Sequence, residues 1–187
     1  MKRRTGYYLY TLTLKRWLFT ALALLLSASV FATGENNVRL YGALVAEPCV
    51  VQPGDEDIHL DFSSVIDKML YQNSRTPGQS FAIHLQGCDL SLGNMVAVTF
   101  HGVENSILPG LLAIDSSSQA KGIAVGLETA EAKALPLNAT SNKYRLQKGS
   151  NVIALKAYVQ GEPEAIASQK IERGSFSATA TFNLEYE

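Results

Sequence analysis

The sequence is poor in the residues from which chemical sites are usually built. Its 187 residues include two cysteines, three histidines, three methionines and one tryptophan. Cys49 and Cys88 stand apart from His59, His84 and His101, and the histidines stand apart from one another, so no metal-ligand spacing arises. No G-x-S-x-G elbow, H-E-x-x-H pair or phosphate-cradling glycine loop is found. The residues therefore point to no enzyme, no catalytic group, no cofactor and no metal. Asp55, Asp57 and Asp61 have a partial calcium-loop spacing, but Leu60 occupies the position that needs glycine and no bidentate glutamate follows. They read as a surface turn. His84 lies between Ile83 and Leu85 and reads as an exposed or cross-strand-paired histidine rather than a general base. Asn138-Ala139-Thr140 matches a glycosylation sequon too common by chance to carry weight.

Acidic residues are also missing from the start. Lys2, Arg3, Arg4, Lys15 and Arg16 precede the apolar run from Trp17 to Ala32, and no acid occurs before Glu35. That run falls short of the about 20 residues needed to span a bilayer. A basic lead, a short apolar stretch and Val30-Phe31-Ala32 together make a secretory signal, with cleavage expected between Ala32 and Thr33. Residues 33–187, 155 in all, would remain, with 11 cations against 17 acids and a net charge of −6. Nucleic acid is a poor partner for such a chain, because phosphate binding draws on clustered Lys and Arg. Lys143, Arg145 and Lys148 read as a solvated turn. In an exported chain two cysteines are expected to pair, and the loop of about 40 residues would contribute roughly 4 kcal/mol by the chain-entropy estimate.

From Val38 onward the dominant period is two, and no window holds a helical stripe. The fold class is therefore all-β, with strands that have one wet face. Val38, Leu40 and Leu44 alternate with Arg39, Tyr41 and Ala43; Ile58, Leu60 and Phe62 with His59 and Asp61; Phe81, Ile83 and Leu85 with Ala82, His84 and Gln86. Further strands are expected over 95–100, 111–114, 122–127, 151–160 and 175–186, divided by turn material such as Thr76-Pro77-Gly78 and Pro109-Gly110. Their spacing suggests an immunoglobulin-like sandwich. Residues 67–80 form the longest expected loop, with one helical turn near 65–70.

The end of the sequence is unusual. Phe176, Ala178, Ala180, Phe182, Leu184 and Tyr186 share one face of a strand, while Ser175, Ser177, Thr179, Thr181, Asn183 and Glu185 share the other. A long apolar edge invites another strand. Either this strand pairs internally on both sides, or it borders a groove awaiting a strand from another molecule. Such a strand is available near the other end, where Val38, Leu40, Gly42 and Leu44 fall on one face. Burying its three aliphatic side chains would contribute about 5 to 9 kcal/mol gross. Gly42 suggests close approach of a neighbour, with a simple bulge as the competing explanation.

These features together resemble the chaperone–usher fimbrial subunits, most of all the small adaptor-type minor pilins of P-pilus-like tips. The resemblance rests on Leu40-Tyr41-Gly42 within Val38–Leu44 and on Pro48-Cys49 followed by Gly87-Cys88. It rests also on the strands Phe81–Cys88 and Val98–Gly102 with Leu108-Pro109-Gly110, and on Tyr186 with Gly174 fourteenth from the end. It implies an incomplete immunoglobulin-like β-sandwich lacking its last strand, completed in trans by donor-strand complementation. Residues 1–32 would be the cleaved signal, 33–46 the donor-strand extension and 47–187 the pilin domain. Val38, Leu40, Gly42 and Leu44 would enter a neighbouring subunit. Gly174, Phe176, Ala178, Ala180, Phe182, Leu184, Tyr186 and Glu187 would line the acceptor groove, and Cys49 and Cys88 would form the family's disulfide. The implied partners are a periplasmic chaperone, which would also engage the carboxylate of Glu187, an outer-membrane usher and neighbouring fimbrial subunits. The implied place is the cell-surface fimbrium, reached through the periplasm, with a contribution to cell adhesion. Two other readings compete: a fimbrial tip adhesin or lectin, which needs a receptor-binding domain as well, and an unrelated exported β-sandwich complete in itself.

Overall fold

A computed structural model describes residues 40–42, 46–141 and 143–187. The chain divides into two compact units, 1–43 and 44–187. Of the first, only Leu40, Tyr41 and Gly42 are described; all three are exposed, and they form no ladder among the described residues. The expected signal and its cleavage at Ala32 and Thr33, together with Val38 and Leu44, lie outside the described residues.

The second unit is a sandwich of two antiparallel sheets. One orders its strands β1 (Val50–Val51), β2 (Gln79–Cys88), β7 (Gly149–Gly161), β5 (Ile123–Thr129) and β4 (Leu112–Ala113); the other orders β6 (Tyr144–Arg145), β3 (Met95–His101) and β8 (Thr181–Tyr186). Alternation specifies the register. Phe81 opposes Leu155 and Ile83 opposes Ile153, and the alternate residues His84 and Val152 oppose each other on the outer face. A slip by one residue would turn Ile83 and Leu85, both 0% exposed, out to water.

Helix α1 (Asp67–Asn73) carries Asp67 in its first turn and ends where Ser74 adopts a left-handed φ of 63°. Its one buried residue, Leu70, packs on Ala120, Ile123 and Val159 and so fixes the helix over one end of the sandwich. The expected turn near 65–70 is therefore a helix placed slightly later. A second short helix, α2 (Pro163–Ala167), begins with proline, which fits a first turn.

Three expectations need correction. The strand expected over Ile58–Phe62 shows the anticipated alternation in burial, but it joins no sheet among the described residues. The strand expected over Ser175–Tyr186 is regular only over Thr181–Tyr186, because residues 175–177 lie against the irregular loop 115–120 instead of another strand. Finally, β5 has no wet face. All seven of its residues are buried, since the loop after α1 covers its outer side, where Arg75 forms hydrogen bonds to Glu128 at 3.0 and 2.9 Å.

Candidate functional site

Cys49 and Cys88 are bonded to each other and nearly inaccessible, at 1% and 3% exposure. The bond ties the chain entering β1 to the end of β2, and the Asp89 amide donates to the Pro48 carbonyl at 2.8 Å beside it. Apart from this cross-link, an open groove of about 1080 Å³ runs along the second unit.

The groove exists because two extended segments that flank it are not joined to each other. One wall is formed by residues 56–65. Ile58, Leu60 and Phe62 turn inward and pack on the core, while Asp57, His59 and Asp61 face solvent. Among the described residues, no backbone-to-backbone hydrogen bond engages residues 56–62. The wall is instead held near its ends. The Asp55 carboxylate accepts from the His84 amide at 2.6 Å and lies 2.7 Å from its ring Nδ1, and the Gln79 side chain donates to the Asp61 carbonyl at 2.7 Å. The His84 contacts hold the Asp55 carboxyl below the usual range. His84 is thus paired with a turn, not with a cross-strand neighbour.

The other wall runs from Gly174 to Phe182. Its outer side is occupied: the Asp115 amide donates to the Ser177 carbonyl at 2.7 Å, the Gln119 amide to the Ser175 carbonyl at 2.8 Å, and β8 pairs with β3 from Val96–Tyr186 to His101–Thr181. Among the described residues, no strand pairs with the side facing the groove. A Cβ on Gly174 would stand 2.4 Å from that of Gln119, so glycine is what lets the wall start this close to the loop. The wall is anchored just before Gly174 by Arg173, whose guanidinium donates twice to Asp67 at 2.9 and 2.6 Å. That guanidinium also holds the Asp67 carboxyl low.

Phe176, Ala178, Ala180, Phe182, Leu184 and Tyr186 are all half-buried against the core, each separated from the next by an exposed residue. Burial pushes the Tyr186 phenol up, and the charge of Glu47 acts in the same direction. The strand closes onto β3 through Glu187, whose main-chain oxygen accepts from the Asn94 and Met95 amides at 2.9 and 3.0 Å and whose side chain pairs with Lys143.

The floor comes from residues that the sequence places only within expected strands. Phe81, Leu112, Val125, Leu127 and Ala157 rise from the five-stranded sheet and Phe100 from the other. Aromatic pairs bracket the floor: Phe62 and Phe176 lie 6.1 Å apart, while Phe100 lies 6.4 Å from both Phe81 and Phe182. Between them Ala157, Ala178 and Ala180 leave room for larger side chains. The alternation of Ile58, Leu60 and Phe62 was the available signal for the first wall. Its status as a wall was not readable, since one period of two describes a paired strand and an unpaired one alike.

Backbone amides and carbonyls require partners, and a long apolar groove between two unpaired edges is complementary to one more extended strand with alternating apolar side chains. No group of three or more His, Cys, Asp or Glu side chains that could hold a metal occurs among the described residues.

A sequence model of the family described as "Fimbrial protein" matches residues 38–187. The chain is 33% identical over 172 residues to the fimbrial adapter PapK of Escherichia coli, covering 88% of this chain and 96% of the adapter. It is 31% identical over 162 residues to the major MR/P fimbria protein of Proteus mirabilis, covering 86% and 89%. Among solved structures, the P pilus rod subunit PapA matches with a TM-score of 0.65 and 22% identity over 75% of this chain and 100% of that one. This likeness identifies the fold as the immunoglobulin-like sandwich with a missing strand.

Proposed function

Because this chain belongs to the fimbrial protein family and is a structural fimbrial subunit, we propose that it polymerises by donor-strand exchange as a minor or adaptor subunit. Its open groove receives the N-terminal extension of one neighbour, while its own residues 33–46, with Val38, Leu40, Gly42 and Leu44 on one face, enter the groove of another. The groove between walls 56–65 and 174–182, which are not paired with each other, carries this reading.

A periplasmic chaperone holds the groove until an outer-membrane usher brings the next subunit, and the product stands at the cell surface, where it contributes to adhesion. The likeness to the fimbrial adapter, which extends over 96% of that protein, supports a joint position in the fibre. Exchange is favourable if the incoming strand fills the space around Ala157, Ala178 and Ala180 better than the chaperone strand does.

Periplasmic expression with and without the chaperone tests the reading. The subunit is expected to accumulate only with the chaperone, and deletion of 33–46 is expected to leave capture intact while abolishing docking onto the preceding subunit. A protease-resistant monomer obtained without chaperone would overturn it.

A further inference from the structure

The two walls of the groove differ in charge. The solvent-facing residues of the first are Asp57, His59 and Asp61, with Glu56 exposed beside them. Asp57 and His59 are 85% and 88% exposed, 3.3 Å apart. Asp55 in the adjoining turn is already engaged by His84. The second wall, from Gly174 to Phe182, contains no charged residue, and its solvent-facing row is Ser175, Ser177, Thr179 and Thr181.

A strand seated in the groove turns alternate side chains to the floor and to solvent. Its solvent-facing side chains become cross-strand neighbours of Asp57, His59 and Asp61 on one side and of hydroxyls on the other. Apolar side chains on the buried face satisfy the floor whatever stands on the outer face, so the outer face is where strands of equal apolar content are told apart.

We propose that the acidic wall is a charge filter: the occupant of this groove is a strand of another fimbrial subunit that carries Lys or Arg on its solvent-facing side, and acidic strands are disfavoured. This rests on the acceptor-groove reading above. The chain's own extension carries such a cation, since strand alternation would put Arg39 opposite Val38, Leu40 and Leu44, with Glu35 four residues before it on the same side. Charge complementarity of this kind acts mainly on association rate and partner choice.

Synthetic peptides of residues 33–46 carrying Arg39, Arg39→Gln or Arg39→Glu, offered to the chaperone-held full-length subunit, test this by the rate of strand exchange. At about 10 mM salt the Arg39 peptide is expected to exchange about three-fold faster than the Arg39→Gln peptide, with Arg39→Glu slowest. The ranking is expected to vanish near 1 M salt, where the Debye length is about 3 Å. Asp57→Asn with Asp61→Asn should erase the ranking, and Asp57→Lys with Asp61→Lys should invert it. Asn at 61 retains an oxygen for the Ser63 amide that Asp61 now accepts at 2.7 Å. Equal rates at low salt, or a ranking that survives neutralisation of the wall, would overturn the charge filter and leave the groove reading standing. Failure of every peptide to enter would overturn both.

Discussion

Arg75 stacks on Tyr158, its guanidinium carbon 3.6 Å from the ring centroid, and the same guanidinium closes on Glu128, whose side chain is 3% exposed. One side chain thus covers a ring and neutralises a buried carboxylate on the outer face of the larger sheet, opposite the groove. Arg75→Ala strands that carboxylate. The expected loss is about 2 to 4 kcal/mol, below the full figure for a broken buried pair because the Arg75 end is 36% exposed. Urea unfolding of the strand-complemented subunit measures it, and an Arg75→Met, Glu128→Leu double variant should recover most of the loss.

Gly126 lies under the same ring. A Cβ there would stand 2.2 Å from Tyr158 Cζ, and Arg75 on the opposite face keeps the ring from rising. Gly126→Ala is therefore expected to cost about 1 to 3 kcal/mol by overpacking. Thermal unfolding checks this, and adding Tyr158→Leu should relieve it.

The sheets were legible in the sequence because alternation in Phe81–Leu85 and in the 151–160 stretch serves both local geometry and burial. The terminal face from Phe176 to Tyr186 was legible for the same reason. The Arg75–Glu128–Tyr158 stack was not, because Arg75 and Tyr158 are 53 and 30 residues away from Glu128 in sequence and no local pattern links the three. The first wall was only half legible: Ile58, Leu60 and Phe62 showed which side faces inward, but the absence of a ladder partner is a property of the folded neighbours. The shape of β5 escaped as well, since Glu128 and Thr129 look like solvent-facing residues until the loop that covers them is placed.

Removing the disulfide should act on folding yield rather than on partner choice. Replacing Cys49 and Cys88, which are 39 residues apart, by Ala is expected to cost about 4 kcal/mol. The unfolding midpoint of the complemented subunit should fall, while the same donor peptide remains bound at low denaturant.

The Asp55 clasp gives the first wall a dependence on acidity. Its carboxyl titrates below the ordinary value because the His84 amide and ring stabilise the charged form. The stabilisation is therefore complete above the unfolded value of about 3.9 and is lost as pH falls through the lower folded value. Hydrogen exchange at the His84 amide, relative to its intrinsic rate, should stay protected from about pH 7 to 5 and lose protection below about pH 4. Asp55→Ala should lack the protection throughout.

The small residues of the second wall should govern access. Ala178→Trp fills the groove from its own wall, and it is expected to weaken donor-peptide binding at least about ten-fold, the equivalent of about 1.4 kcal/mol. The β3–β8 pairing lies beyond position 178 and should be retained. Peptide titration with circular dichroism as control separates the two effects.

The unpaired walls also bear on mechanics. A strand lying between two rails and pulled along its own axis loads the hydrogen bonds on both sides together, in shear, instead of peeling them off one after another. Joints built this way resist tension although no covalent bond crosses them. In the proposed joint, load would pass from the seated strand into β8 and β3 on one side. On the other it reaches a wall held mainly near its ends and by its inward side chains. Under extreme pull, the side formed by residues 56–62 is therefore where such a joint should first give way.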